Sequence, residues 1–516
     1  MDSVSFLAAI EVGSHEVILK ISQINLAGDI SEVESVSKTI NLGSESYRLG
    51  YISNENIHLL ISTLKDFKEI INTYPDAKVS VAATSALREA SNKLFIVDQV
   101  FRQTGFEIDI LSNREEFASM IQAVFSKMPE FFELNKEPTL LLDIGAGSTQ
   151  LTLFDKNKFL FTQNILLGSL RVRDRLAVLE QHTADFKTLM HEYISGDLDY
   201  YRSFVPIQID YKNLIIVGNL MQTWRYLAEL PNNGTVFLSR EKFEDLYTVI
   251  TQTNPIELIE QFDISEEQAS ILLPMSMVIK EVFELTKLES VILPDVTLAD
   301  TMIVWLAENL NYRNKDKHIE QYAVDFAKII ARRHHTDFKH IKQVETLALS
   351  LFDQLKKLHG LSKRDRFLLQ MAANLHNIGK FFTVKQDGVV AYQLIKSSDL
   401  PGLTDKEIEM VALLVKYHSL AFTNLVLDND VESNQDYLIL VKLSVILALA
   451  NTLDTGHKRK VKDLKIEIRK KHVKLILVSN EDLTLESWSL NKPIKFFKDV
   501  FGKEIRLKIV PFSPQN

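Results

Sequence analysis

The sequence predicts an α/β protein in four parts: two similar α/β domains over 1–125 and 126–312, a helical domain over 313–455 and a small α+β unit over 456–516. Three observations carry this. An apolar run, an acid, a small-residue turn and a second alternating run occur at 6–21 and again at 140–154, each followed by helical spacing, which reads as an internal duplication. After the polar stretch NYRNKDKH, from about 313, apolar residues recur at helical intervals almost without a break to about 455. Beyond a basic segment, VKLILVSNEDLTLESWSL and KEIRLKIVPF return to strand-like alternation around one helix near 491–501.

The elements follow in order. In FLAAIEVGSHEVILKI an apolar strand delivers Glu11 to Gly13 and Ser14 before alternation resumes. Ser53 is placed to cap a helix whose Ile57, Leu60, Ile61, Leu64, Phe67 and Ile71 share one face, and 79–84 and 107–111 read as short strands. LLLDIGAGSTQLTLF at 140–154 is the most informative stretch. There a strand brings Asp143 into a turn where Gly145 and Gly147 are expected to take positive φ and let a ligand approach the backbone. Ser148, Thr149 and successive N–H groups are then donors to anionic oxygens, and Asp143 can hold a divalent cation. One such loop alone is better read as a hairpin with a glycine turn. Two of them facing each other across a cleft suit a polyanion that carries a metal ion.

Composition agrees with a folded, multidomain chain: 516 residues, 46% hydrophobic and 9% aromatic, ample for packed cores. With no cysteine, disulfides, thiolate catalysis and cysteine-ligated zinc are excluded, and chemistry must rest on oxygen and nitrogen groups. The start, MDSVSFLAAIEVG, lacks a basic region and meets an acid early, so it does not read as a signal peptide, and a cytoplasmic location is expected. LILVKLSVILALA at 438–450 is interrupted by Lys442 and falls short of the roughly 20 residues that span a bilayer, so it reads as a buried helix and no membrane partner is expected. A net charge of −9 gives no global attraction to polyanions, and nucleic acid is not expected as a partner. One local exception is HKRKVKDLKIEIRKKHVK at 457–474, with nine basic residues against two acids. It could attract a phosphate chain, but Val461, Leu464, Ile466 and Ile468 spaced among the charges favour a solvated strand pair.

A series of segments in order then carries a resemblance. Besides the two glycine loops, VAATSALREASN (81–92), LSNREEFASMIQAVF (111–125), NILLGSLRVRDRL (164–176) and LLQMAANLHNIGKFF (368–382) resemble the exopolyphosphatase and guanosine pentaphosphate phosphohydrolase (Ppx/GppA) family. That resemblance implies two actin-like (ribonuclease H-like, ASKHA) ATPase-type domains followed by an α-helical HD-like domain. It implies Glu115 as the general base that deprotonates the attacking water, with Glu116 only capping a helix. SNREE also suits an ordinary helix start with Ser112 or Asn113 as cap. Arg88 is implied as a phosphate-binding arginine, Asp143 as a Mg2+ ligand with Glu11 in partial support, and Gly13, Ser14, Gly145, Gly147, Ser148 and Thr149 as the anion loops. Arg171 is expected near the cleft as a further phosphate-binding residue, and a homodimer is implied.

Departures from the pattern are specific. Glu11 and His15 stand where the family carries Asp and a small amide, and Gln150 replaces an acid, which should weaken Mg2+ binding. Only Gly218 and Thr223 remain of a glycine-glycine-threonine turn near 217–230, and LADTMI at 298–303 has Ala299 and Thr301 where arginine and glycine are usual. In the HD-like region the matching positions are His340, His376 with Asn377, and Asn451. Two acids have become amides there, so no metal is expected, and His418 reads as structural.

The leading expectation is an exopolyphosphatase-like phosphohydrolase that releases terminal orthophosphate from inorganic polyphosphate with Mg2+. pppGpp 5′-phosphohydrolysis is the related activity. The rival is a catalytically weakened polyphosphate- or nucleotide-binding regulatory protein. An ATP-driven kinase of the same superfamily is disfavoured, because 217–223 supplies no convincing adenosine-binding turn.

Overall fold

The computed structural model describes the chain apart from residues 1–4, 181, 184, 205–208, 219–220, 232–233, 311–317, 399, 419–432 and 513–516. The polar stretch expected as a linker therefore lies almost wholly outside the described residues. The chain forms two compact units, Met1–Ile319 and Glu320–Asn516.

The first unit contains two sheets with one plan. Strands β1 (Ser5–Val12), β2 (Glu16–Ile24), β3 (Ile30–Thr39), β4 (Lys78–Ala83) and β5 (Asp109–Ile110) lie in the order β3-β2-β1-β4-β5. Strands β6 (Thr139–Ile144), β7 (Thr149–Asp155), β8 (Lys158–Ile165), β9 (Asn213–Val217), β10 (Val236–Ser239) and β11 (Ser290–Leu293) lie in the order β10-β11-β9-β6-β7-β8. In each, an antiparallel three-strand meander continues into parallel neighbours: β1 with β4 and β4 with β5, then β6 with β9 and β9 with β11. The duplication visible in the sequence is thus a duplication of topology, with β10 added at one edge.

The helices form where the apolar spacing places them. Ser53 caps Asn54–Asn72 by accepting from the Asn56 N–H, and Ile57, Leu60, Ile61, Leu64, Phe67 and Ile71 are buried against the first sheet. Burying each such side chain stabilises by about 1.5–3 kcal/mol. The helix Leu298–Asn309 departs from the linear partition. Although it follows the second sheet in sequence, Leu298, Ala299, Met302, Ile303 and Ala307 pack on Leu7, Ala9, Ile24 and Ala82 of the first. A division that assigns 126–312 to one domain therefore fails at this helix, whose apolar face is needed to cover the far side of β1.

In the second unit, helices from His318–Arg333 onward surround the apolar helix Asn434–Thr452. This 19-residue helix is long and apolar enough to cross a membrane by composition, yet Leu440, Val441 and Leu443 to Ala450 are buried by neighbouring helices, and the Lys442 ammonium donates to the His359 carbonyl. The basic segment forms the strand pair β12 (Asp463–Ile468) and β13 (His472–Val478), with β14 (Glu504–Val510) parallel to β13. Helix Asn491–Phe501 buries Phe496 and Phe497. The Gln354 side chain accepts from the Ile466 N–H and donates to the Leu464 carbonyl. Residues 456–516 therefore pack with the helices in one compact unit.

Candidate active site

Glu11 and Asp143 are the next-to-last residues of β1 and β6, and a parallel strand lies beside each, so both carboxylates sit at the carboxyl edge of a parallel pair, where α/β sheets place ligands. They line one crevice. Gly13, Ser14, Gly145, Gly147 and Ser148 line it too, so the two loops do face each other. The crevice also holds Glu16, Thr84, Ser85, Asn113, Glu116, Gln150, Asn164 and Gly218, and neither lysine nor arginine is among its lining residues.

That imbalance has an electrostatic result. Burial, then the charges of Glu116 and Glu11, push the Asp143 carboxyl up to about 8. Burial also raises Glu16 above the usual carboxylate range, opposed only by His15. Glu11 is buried and accepts from the Ala299 N–H at 3.3 Å, where the amino end of Leu298–Asn309 favours negative charge. Hard oxygen donors with surplus negative charge fit a hard dication such as Mg2+. Among the described residues, no three acids or histidines lie close enough to hold a metal alone.

The structure places Glu116, not Glu115, in the lining of the crevice. Glu115 sits at the third position of Asn113–Lys127, and its carboxylate accepts from the Ser112 N–H and hydroxyl, each at 2.9 Å, while its own N–H donates to Ser112 Oγ at 3.3 Å. This capping box turns Glu115 back toward the helix start, away from the crevice lining. Glu116, one residue further round the helix, lines the crevice with its side chain 32% exposed. The pattern Ser-x-x-Glu at 112–115 was the sequence signal for this.

Arg88 does not line the crevice. Its Nη1 donates to the Leu111 carbonyl at 2.6 Å and to Glu116 Oε2 at 2.9 Å, so it anchors the acid beside the crevice. Arg171 is likewise outside, donating to the Gly147 carbonyl at 2.6 Å and to Glu89 at 2.5 Å, with its guanidinium 4.6 Å from the centre of the Tyr47 ring. Thr149 is buried, and its hydroxyl donates to the Leu167 carbonyl, which removes it from the set of anion donors.

Neither Gly145 nor Gly147 takes a positive φ. Glycine is required at 147 for space: a Cβ there would lie 2.6 Å from the Tyr47 hydroxyl and 2.9 Å from Ser85 Oγ. The positive φ belongs to Gly218, at 128°, where a side chain would also strike the Ile144 carbonyl. The carbonyls of Gly145 and Ala146 accept from the N–H groups of Ser169, Leu170 and Arg171, while the N–H groups of Ala146, Gly147 and Ser148 make no hydrogen bond within the described protein. Those three donors remain for an anion.

Comparison with known proteins now decides the family. The chain matches the Ppx/GppA phosphatase family over residues 19–310 and domain III of the Ppx/GppA phosphatases over 326–492. It belongs to the Ppx/GppA phosphatase family. The guanosine-5′-triphosphate,3′-diphosphate pyrophosphatase of Vibrio atlanticus (strain LGP32) is 22% identical over 449 residues, covering 85% of this chain and 86% of that one. Its counterpart in Pseudoalteromonas translucida (strain TAC 125) is 22% identical over 425 residues, covering 80% of each. The crystal structure of an exopolyphosphatase from Cytophaga hutchinsonii ATCC 33406 matches with a TM-score of 0.53 at 20% identity, over 59% of this chain and 98% of that one. The fold of the first unit is therefore that of the actin-like ATPases in their Ppx/GppA form.

Within this Ppx/GppA chain the altered turn near 217–230 still supplies Gly218 to the crevice, while residues 219–220 lie outside the described set. LADTMI supplies Leu298 to the wall and the Ala299 N–H to Glu11.

Domain III gathers the HD-matching residues. His340 Nδ1 lies 2.8 Å from Asp454, and its Nε2 lies 3.2 Å from Asn451 Oδ1 and 3.3 Å from His376 Nε2. His376 and His418 bond through Nδ1 to the carbonyls of Ala373 and Val415, and burial holds both below the usual histidine range, His376 well below. His457 stacks on His340 at 3.7 Å. Sequence reasoning missed Asp454 and His457, which lie outside any HD spacing, along with Ser85, Tyr47 and Asn164 around the crevice.

Proposed function

We propose that this chain is a Mg2+-dependent phosphoanhydride hydrolase that releases terminal orthophosphate by water attack, with Glu116 as the general base. The observation that carries the reading is the meeting of Glu11, Asp143, Glu116 and the two glycine loops in one crevice with no lysine or arginine among its described lining residues. A polyphosphate end brings its own negative charge, so binding there would call for a cation, which Asp143 and Glu11 would hold. The cation when bound neutralises charge on the phosphoryl oxygens.

The chain's own residues do the rest. The free N–H groups of Ala146, Gly147 and Ser148, with the Ser14 hydroxyl, hold the terminal phosphoryl group. Arg88 engages Glu116 through Oε2, leaving Oε1 without a hydrogen-bond partner among the described residues, so that it can accept a proton from the attacking water. The new phosphorus–oxygen bond forms as the anhydride bond breaks, and the shortened chain leaves with the electron pair.

Inorganic polyphosphate is the first substrate. pppGpp is the second reading, favoured by the names of the two relatives that span most of the chain. Orthophosphate release from each, with Mg2+ and with chelator, tests both readings; no release from either substrate would leave a binding protein.

A further inference from the structure

Three hydroxyls meet where the two halves of the first unit touch. Ser14 Oγ lies 2.7 Å from the Tyr47 hydroxyl and 3.0 Å from Ser85 Oγ, and Tyr47 lies 2.6 Å from Ser85. Ser14 and Ser85 line the crevice, while Tyr47, from the helix Leu42–Leu49, does not and reaches them from behind. The triangle also touches the second sheet's loop: a Cβ at Gly147 would collide with the Tyr47 hydroxyl, and Arg171, which donates to the Gly147 carbonyl, lies over the Tyr47 ring. One side chain thus touches both loops, the 84–85 turn and the arginine that spans them.

The protons of the triangle can be counted. A closed ring of three hydroxyls uses each as donor once and acceptor once. A phosphoryl oxygen in the crevice offers Ser14 and Ser85 a charged acceptor in place of each other, and these bonds are the stronger ones. Tyr47, whose buried phenol is pushed up to about 12, stays neutral and keeps donating to one serine oxygen, which improves that serine as a donor. With no lysine or arginine in the lining, such neutral donors carry much of the phosphate recognition.

We propose that Tyr47 is a positioning residue, whose hydroxyl turns those of Ser14 and Ser85 toward the bound phosphoryl group while its ring, through Arg171, draws the Gly147 turn onto the same group. This rests on the hydrolase reading for its function, but its test does not require turnover. Orthophosphate affinity of the full chain with Mg2+ is measured by calorimetry for wild type, Tyr47→Phe, Ser85→Ala and the double variant, with KM and kcat for polyphosphate alongside. Loss of one hydrogen-bond donor should weaken orthophosphate about fivefold in Tyr47→Phe and raise KM similarly, with kcat within about twofold. In the Ser85→Ala background the same change should cost less than about twofold, because the donor it orients is gone. Arg171→Ala, which frees the ring, should weaken orthophosphate by a comparable factor.

Equal losses in both backgrounds, as a merely structural tyrosine would give, overturn the proposal. So does unchanged affinity in Tyr47→Phe, or a wild type that binds no orthophosphate. A wild type that binds orthophosphate with the expected coupling yet hydrolyses neither polyphosphate nor pppGpp supports Tyr47 as a positioning residue and refutes the hydrolase reading instead.

Discussion

Asp143 gives the most quantitative test of the crevice electrostatics. In the unfolded chain its carboxyl has its ordinary value of 3.8, and in the folded chain burial and the neighbouring Glu116 and Glu11 push it up to about 8. Between those values the folded state holds a proton that the unfolded state has released, so stability falls as pH rises through the window. Each pH unit there is about 1.4 kcal/mol. Without divalent cations, the wild type should therefore lose up to roughly 4 kcal/mol relative to Asp143→Asn between pH 5 and pH 8, because the amide never ionises. Urea unfolding of the full chain measures this. In a Trp488→Phe background, which removes a side chain 72% exposed in the second unit, fluorescence comes from Trp224 and Trp305 of the first. Mg2+ should flatten the wild-type curve by favouring the carboxylate and leave Asp143→Asn little changed. Parallel pH profiles of wild type and variant in chelator would refute the reasoning.

Two further outcomes are expected. Gly147→Ala should destabilise by about 1–3 kcal/mol in urea unfolding, because its Cβ meets the Tyr47 hydroxyl at 2.6 Å, and adding Tyr47→Phe should recover part of the loss. His376, buried and held well below the usual histidine range, should titrate by NMR at lower pH than an exposed histidine, and the second unit should lose stability as pH falls through about 6.5, where the unfolded histidine takes a proton that the folded one refuses.

The parts of the fold that were legible in the sequence are those set by periodicity and local chemistry. Ser53 and the face from Ile57 to Ile71 needed only helical spacing, and the strand–acid–glycine–strand repeat gave the duplicated sheets. The helix Leu298–Asn309 was misplaced because its apolar face does not say which sheet it covers. At the site, Glu11, Asp143 and the loop glycines met as expected, since strand ends fix their positions. Glu115 and Glu116 were confused because adjacent acids at a helix start differ only in rotation, which the Ser112 cap determines. Arg88 and Arg171 were credited with phosphate because charge alone does not reveal a partner; Glu116 and Glu89 already hold them. Tyr47 left no trace in the pattern, since its role comes from contacts with residues 33, 38 and 124 positions away.

In the proposed reaction the carboxylate at 116, not the one at 115, activates water in this crevice. Single-turnover orthophosphate release from polyphosphate with Mg2+, comparing Glu116→Gln and Glu115→Gln with wild type, tests it directly. Loss of a general base should slow Glu116→Gln by about 100-fold or more. Glu115→Gln, which keeps a capping-box side chain, should stay within a few-fold of wild type. The reverse ranking, or equal rates in all three, would contradict the account.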